Sequence, residues 1–166
     1  MIYSNYIAIV TLVLLSSCGT YRINKTSDFG KIGELSELNG TYRNEESEGK
    51  IKLMQFFDYE VNVDSVTIHF PNETTLVASY FNNGKLMTQE LKGKRKRKFF
   101  EMYFEKKQLI IPLIYSKVSV SRLRIGRYKN TPSLLIRDLN EQNGSVFIIA
   151  GGYGGEKPYV YKNVEE

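Results

Sequence analysis

Cysteine, histidine and tryptophan are nearly absent from these 166 residues, which hold one Cys, one His and no Trp. A lone cysteine excludes any intramolecular disulfide, and together with one histidine it falls short of the three or four ligands of a Cys/His zinc site. A Ser-His-Asp or Cys-His mechanism could draw only on His69. The expected inventory therefore contains no metal and no cofactor, and the chain reads as a non-enzyme. Long apolar runs are scarce as well. The longest, Ile7–Leu15 (IAIVTLVLL), has nine residues, against the roughly 20 that a membrane-spanning helix needs.

What is present is the composition of a folded chain rather than a disordered one. Hydrophobic residues make up 42% and aromatics 13%, and 23 Lys+Arg stand against 18 Asp+Glu for a net charge of +5. A body of roughly 150 residues is large enough to bury most of its apolar surface as a single domain.

The nine-residue run matches a secretory h-region, which spans about 7–15 residues. Directly behind it, Leu15-Ser16-Ser17-Cys18 resembles the lipobox of bacterial lipoproteins. That resemblance implies cleavage before Cys18, a diacylglycerol thioether and further acylation such as palmitate on Cys18, and residence in the cell envelope, periplasmic or surface-exposed. Residues 1–17 then read as a signal peptide. Residues 18–37, mixing Gly, Thr, Asn and charge without periodicity, read as a lipidated tether, and 38–166 as the folded domain.

Beyond Leu38 apolar residues recur with period two, as in Val66-Thr67-Ile68-His69-Phe70, and no stretch carries a sustained helical stripe. Strands are expected from Gly40, from Ile51, over Val66–Phe70, over Thr75–Phe81 and, after the Asn82-Asn83-Gly84 turn, over Lys85–Leu91. Others are expected over Phe99–Glu105, Gln108–Tyr115 with a stop at Pro112, a phase-shifted segment around Val118–Ile125, Leu134–Leu139, Ser145–Ala150 and Tyr159–Lys162. Turns are placed at Asn140–Gly144 and a flexible hairpin at Gly151–Pro158. The expected architecture is all-β: a single antiparallel up-and-down β-barrel of about 8–10 strands.

Short motifs agree with that architecture. LNGTYRN near the start, LKGK midway, IIPLIY after it and a tyrosine-rich last strand are similar to the lipocalin-like (calycin) barrel lipoproteins of bacteria, with Gly40-Thr41-Tyr42 standing where lipocalins carry Gly-x-Trp. The resemblance implies a binding module, with a small apolar or amphipathic ligand if the barrel is hollow. A filled barrel implies instead a structural or interaction module that engages an envelope partner.

Candidate chemistry is sparse. His69 sits on the polar parity of its strand, and Glu45, Glu46 and Glu48 read as a solvated loop rather than an acid–base pair. Gly151–Pro158 lacks the Gly-Lys-Ser/Thr ending of a phosphate loop. The pointed feature is Lys92-Gly93-Lys94-Arg95-Lys96-Arg97-Lys98, whose charge density calls for anions. Lys92, Lys94, Arg95, Lys96, Arg97 and Lys98 form the expected contact with an anionic lipid or glycan. Base-stacking aromatics are not interleaved with them, so nucleic acid is not the expected partner.

Overall fold

The computed structural model describes residues 26–45, 51–57, 61–112, 114–146 and 149–164. Among the described residues nine strands follow in chain order: β1 (Gly40–Arg43), β2 (Ser65–Asn72), β3 (Thr75–Asn82), β4 (Lys85–Lys92), β5 (Lys94–Arg95), β6 (Phe100–Ile111), β7 (Tyr115–Arg127), β8 (Leu134–Val146) and β9 (Ile149–Tyr161). Two short 3-10 helices, Leu35–Leu38 and Leu53–Phe57, accompany them. The fold is all-β and sequential. It comprises two sheets, ordered β1-β2-β3-β4 and β5-β6-β7-β8-β9, in place of one unbroken barrel ladder.

The strands form where alternation and turn chemistry agree. On β2, Val66, Ile68 and Phe70 are buried while Thr67 and His69 face out. Asn83 and Gly84 both take positive φ, 49° and 74°, which the tight turn between β3 and β4 requires and which Asn-Gly accepts at least cost. That turn fixes the register Asn82↔Lys85 through Thr75↔Lys92.

The chain divides into two compact units, each built from separated segments. The first to consider, the core unit, contains Lys25–Tyr103, Arg122–Asp138 and Lys157–Glu166. Its two sheets are laced together by hydrogen bonds. Beside β1, Arg43 N–H donates to Lys162 O (2.9 Å) and Val164 N–H to Thr41 O (2.8 Å), around a Tyr42↔Asn163 bridge. On the far side Arg95 N–H of β5 donates to Glu73 O (2.9 Å) in the turn between β2 and β3.

One contiguous cluster fills the interior. Val66, Ile68, Leu76, Ala78, Phe100, Met102, Leu123, Ile125, Leu134, Ile136, Tyr159 and Tyr161 come from the strands, and Leu35, Leu38, Leu53, Met54 and Phe57 from the two 3-10 helices. Each Val, Leu, Ile, Phe or Met side chain among them contributes roughly 1.5–3 kcal/mol by leaving water. Tyr42 is buried among them, its hydroxyl donating to Leu38 O at 2.9 Å, and burial pushes its pKa up to about 12.

The second unit comprises Phe104–Ser121 and Leu139–Glu156, with Met1–Asn24 outside the described residues. It is a four-stranded blade made of the adjoining parts of β6, β7, β8 and β9. Among the described residues, the core cluster includes none from this blade.

Several expectations are corrected. The segment from Ile51 becomes a 3-10 helix from Leu53, held by Leu53 N–H to Asn44 O (2.6 Å) and Met54 N–H to Asn44 Oδ1 (2.9 Å). Phe99–Glu105 and Gln108–Tyr115 give a single strand β6 that ends before Pro112. Asn140–Gly144 and Gly151–Pro158 are strand interiors, not turns. Gly144 lets the strands approach closely, because a Cβ at that position would lie 3.0 Å from Ser116 O. The phase change on β7 coincides with the point where both faces become buried, from Arg122 to Gly126.

The folded part also starts earlier than Leu38. Phe29, Ile32 and Leu35 are buried, and Phe29 bridges to Tyr128, with Gly30 N–H donating to Arg127 O at 2.9 Å. Isolated apolar residues in a polar stretch carry no periodicity, so they read as tether. A chain beginning at Leu38 should therefore lose roughly 5 kcal/mol or more relative to one beginning at Lys25, from about 1.5–3 kcal/mol for each of the three side chains. Urea unfolding followed by far-ultraviolet circular dichroism measures the difference; equal midpoints would show that the segment adds nothing.

Candidate functional site

The basic run joins β4 to β6 through the two-residue strand β5, so its backbone is tied down rather than looped. Lys92 closes β4, and its ammonium donates to Thr75 Oγ1 (3.1 Å) and pairs with Glu90. Arg95 pairs with Glu73 (2.6 Å) and donates to Gly33 O. Lys96 lies 3.8 Å from Glu101 Oε1. Three of the six cations thus have carboxylates beside them. Lys94 and Arg97 are exposed and Lys98 is half-buried, with no ion pair described for any of the three.

Immediately after the run, strand alternation splits β6 into two faces. Phe100 and Met102 enter the core, and Glu101 points the other way, with its side chain 3% exposed. There it meets Arg124, whose Nε donates to Oε2 at 2.9 Å, and Arg122, whose guanidinium is 3.5 Å from the same oxygen. Tyr103 OH donates to Oε1 at 3.1 Å. Burial pushes the Glu101 carboxyl up, but the hydrogen bond and charge of Arg124, the Tyr103 hydroxyl and the charge of Arg122 outweigh it, so its pKa lies below the usual carboxylate range.

A second apolar layer covers this charged face. Phe29, Phe99 and Leu135 form a separate cluster with Tyr128 and Val160 packed on it. The Arg124 guanidinium lies 4.9 Å from the Phe99 ring centre, and that of Arg137 lies 5.6 Å from Phe29 while pairing with Asp28. The N-terminal segment that brings Asp28 and Phe29 thereby helps to cover Arg137 directly and, through the Phe29–Phe99 ring contact, supports the ring over Arg124. None of this was legible from spacing, because Arg122 and Arg124 look like ordinary outward residues of an alternating strand.

The other candidates stay apart. His69 is exposed on the outer face of β2, and the backbone of Glu45 forms an isolated antiparallel β-bridge with that of Lys52; Glu46, Glu48 and Cys18 lie outside the described residues. No cluster of three or more metal-ligating side chains occurs among the described residues. Two clefts in the core unit, of about 370 Å³ and 190 Å³, meet at Val63, Asp64 and Ser65 and have mixed polar and apolar walls. On the blade, Tyr115, Lys117, Gln142, Gly144, Gly151 and Tyr153 line a shallow depression of about 360 Å³, with Tyr153 OH donating to Gln142 Oε1 at 2.7 Å.

No protein-family model, curated protein or solved structure matches this chain.

Glu101→Gln keeps the shape and one acceptor but removes the negative charge that Arg124 bonds and Arg122 faces. Breaking a buried pair in this way costs about 3–5 kcal/mol. Because the folded-state pKa is depressed, the carboxylate's contribution is fully present above its unfolded pKa of about 4.3 and fades as pH falls through the folded value. Urea midpoints of wild type and variant should therefore differ widely at neutral pH and converge in acid. A gap that is the same at both pH values would mean the charge is not what Glu101 supplies.

Proposed function

We propose that this chain is an envelope lipoprotein whose β-domain is a non-enzymatic interaction module. Cys18 holds it to the bilayer, and Lys92–Lys98 meets an anionic surface, either lipid headgroups or an acidic glycan. The observation that carries the reading is the interior of the core unit, where both sheets and both 3-10 helices contribute to one packed cluster. Eight-stranded-type barrels either fill with side chains or hold one small ligand, and a filled one offers its exterior. Binding then falls to surface groups.

Two kinds of contact reinforce each other in this reading. Two or more acyl chains on one cysteine give a firm anchor, at about 0.8 kcal/mol for each buried methylene. An anchored domain faces a high local concentration of whatever lies near the membrane, so weak electrostatic attraction suffices. Cations that already face carboxylates add little, which leaves Lys94 and Arg97 as the groups with most to gain. Each Lys or Arg near an anionic membrane contributes about 1 kcal/mol.

Mass spectrometry of the mature amino terminus should find Cys18 first and acylated; an unmodified thiol would overturn the anchor. For the basic run, Lys94→Ser with Arg97→Ser should weaken binding roughly 30-fold, the equivalent of about 2 kcal/mol for two cations. Two arms, phosphatidylglycerol vesicles and a soluble acidic polysaccharide, show which source of anions the run prefers. Binding should fall with added salt. Equal binding by variant and wild type in both arms would reduce the run to a solvated segment.

A further inference from the structure

The blade contains an anomaly that the proposed function leaves unused. Turns normally carry Gly, Pro, Asn, Asp and Ser, yet exposed aliphatic residues flank both of its hairpin turns, with Pro112 the one such residue between Ile111 and Ile114. Near the first tip, Leu109, Ile110, Ile111 and Ile114 are 56%, 55%, 46% and 51% exposed, and beside the second Val146 is 51% exposed. Ile114 N–H closes the first turn onto Ile111 O at 3.1 Å. Strand order β6-β7-β8-β9 puts both turns at the same end of the blade, and the hydroxyls of Ser116 and Ser145, 2.8 Å apart, join the two hairpins there.

Three features choose the occupant of this end. Successive residues of a strand point to opposite faces, so Ile110 and Ile111 are half exposed on both sides of one sheet. A folded protein partner or a second copy covers one face, whereas a fluid apolar medium surrounds a tip and covers both. The charge is graded in the same sense. Residues 106–117 carry Lys106, Lys107 and Lys117 and no acid, residues 142–155 carry no charge at all, and Glu105, Glu141 and Glu156 fall just outside those stretches. Lys107 pairs with Glu105. Tyr115 and Tyr153, amphipathic rings suited to a headgroup layer, lie on the same shallow depression behind the tips.

We propose that the two hairpin tips dip into the acyl region of a lipid bilayer, with Ile110, Ile111, Ile114 and Val146 in the hydrocarbon and Lys106 and Lys117 at the headgroups. Within the first turn the Ile114 N–H is already paired with Ile111 O, which an apolar medium favours. The inference does not depend on Cys18 being acylated or on the basic run binding anions.

The test uses the full chain as the cell produces it, reconstituted with vesicles of phosphatidylethanolamine and phosphatidylglycerol. An environment-sensitive fluorophore is placed on Ile110→Cys, on Ile111→Cys and, as a control on the exposed face of the core unit, on His69→Cys. An acylated Cys18 does not react, so label on the wild-type chain separately reports a failure of the anchor. The proposal expects emission from both tip positions to shift to the blue and to be quenched by nitroxides placed deep on the acyl chains, at low and high salt, with no such change at His69. Replacing Ile111 and Ile114 by Ser should reduce quenching at position 110 to the control level, while circular dichroism stays unchanged. Absence of nitroxide quenching at both tips overturns the proposal. So does protection of only one face, or protection that grows with protein concentration without quenching, either of which indicates a protein partner or a second copy.

Discussion

A carboxylate held out of water beside two guanidinium groups is the constraint around which the core unit is arranged. Taking any of these charges from water is costly, and the arrangement is tolerable only because each finds a partner in the same place. Glu101 accepts from Arg124 and Tyr103 and balances Arg122, while Lys96 approaches from the basic run. Because Glu101 alternates with Phe100 and Met102, the strand that delivers the counter-charge also delivers core side chains. The charged face then requires its own cover, and Phe29, Phe99 and Leu135 provide it. The N-terminal segment, the start of β6 and the middle of β7 are thereby made interdependent.

Much of this architecture was readable in the chain, and the failures have physical causes. Clean alternation located β2 and β3, and Asn83-Gly84 located the turn and register of the hairpin, since local turn chemistry and burial pointed the same way. Asn140–Gly144 and Gly151–Pro158 carry equally strong turn residues yet run as strand, because pairing with neighbours on the sheet decides the matter there. The 3-10 helix at Leu53–Phe57 is fixed by the side chain of Asn44, which a reading of periodicity cannot see. Of the candidate site, the charge of Lys92–Lys98 was plain, but its division into paired and outward cations depends on Glu73, Glu90 and Glu101 arriving from elsewhere.

Lys92, Arg95 and Lys96 spend their charge locally, helping to fasten the approach to β6, so the run is partly a structural clasp and partly a surface. A body whose interior is occupied by Leu53, Met54, Phe57 and Tyr161 is suited to hold surface groups in fixed positions. The blade is the complement of that body: it has little apolar burial of its own and places its aliphatic residues where two turns meet.

The central claim is that the core unit is filled and that recognition is external. Native mass spectrometry of the full chain isolated from the cell under mild conditions tests this most directly, because a ligand enclosed among the core side chains would stay with the protein into the gas phase. The expected result is the mass of the polypeptide, with any covalent groups it carries, and nothing else. A stoichiometric apolar or amphipathic molecule that persists on the folded chain and is released on unfolding would contradict it.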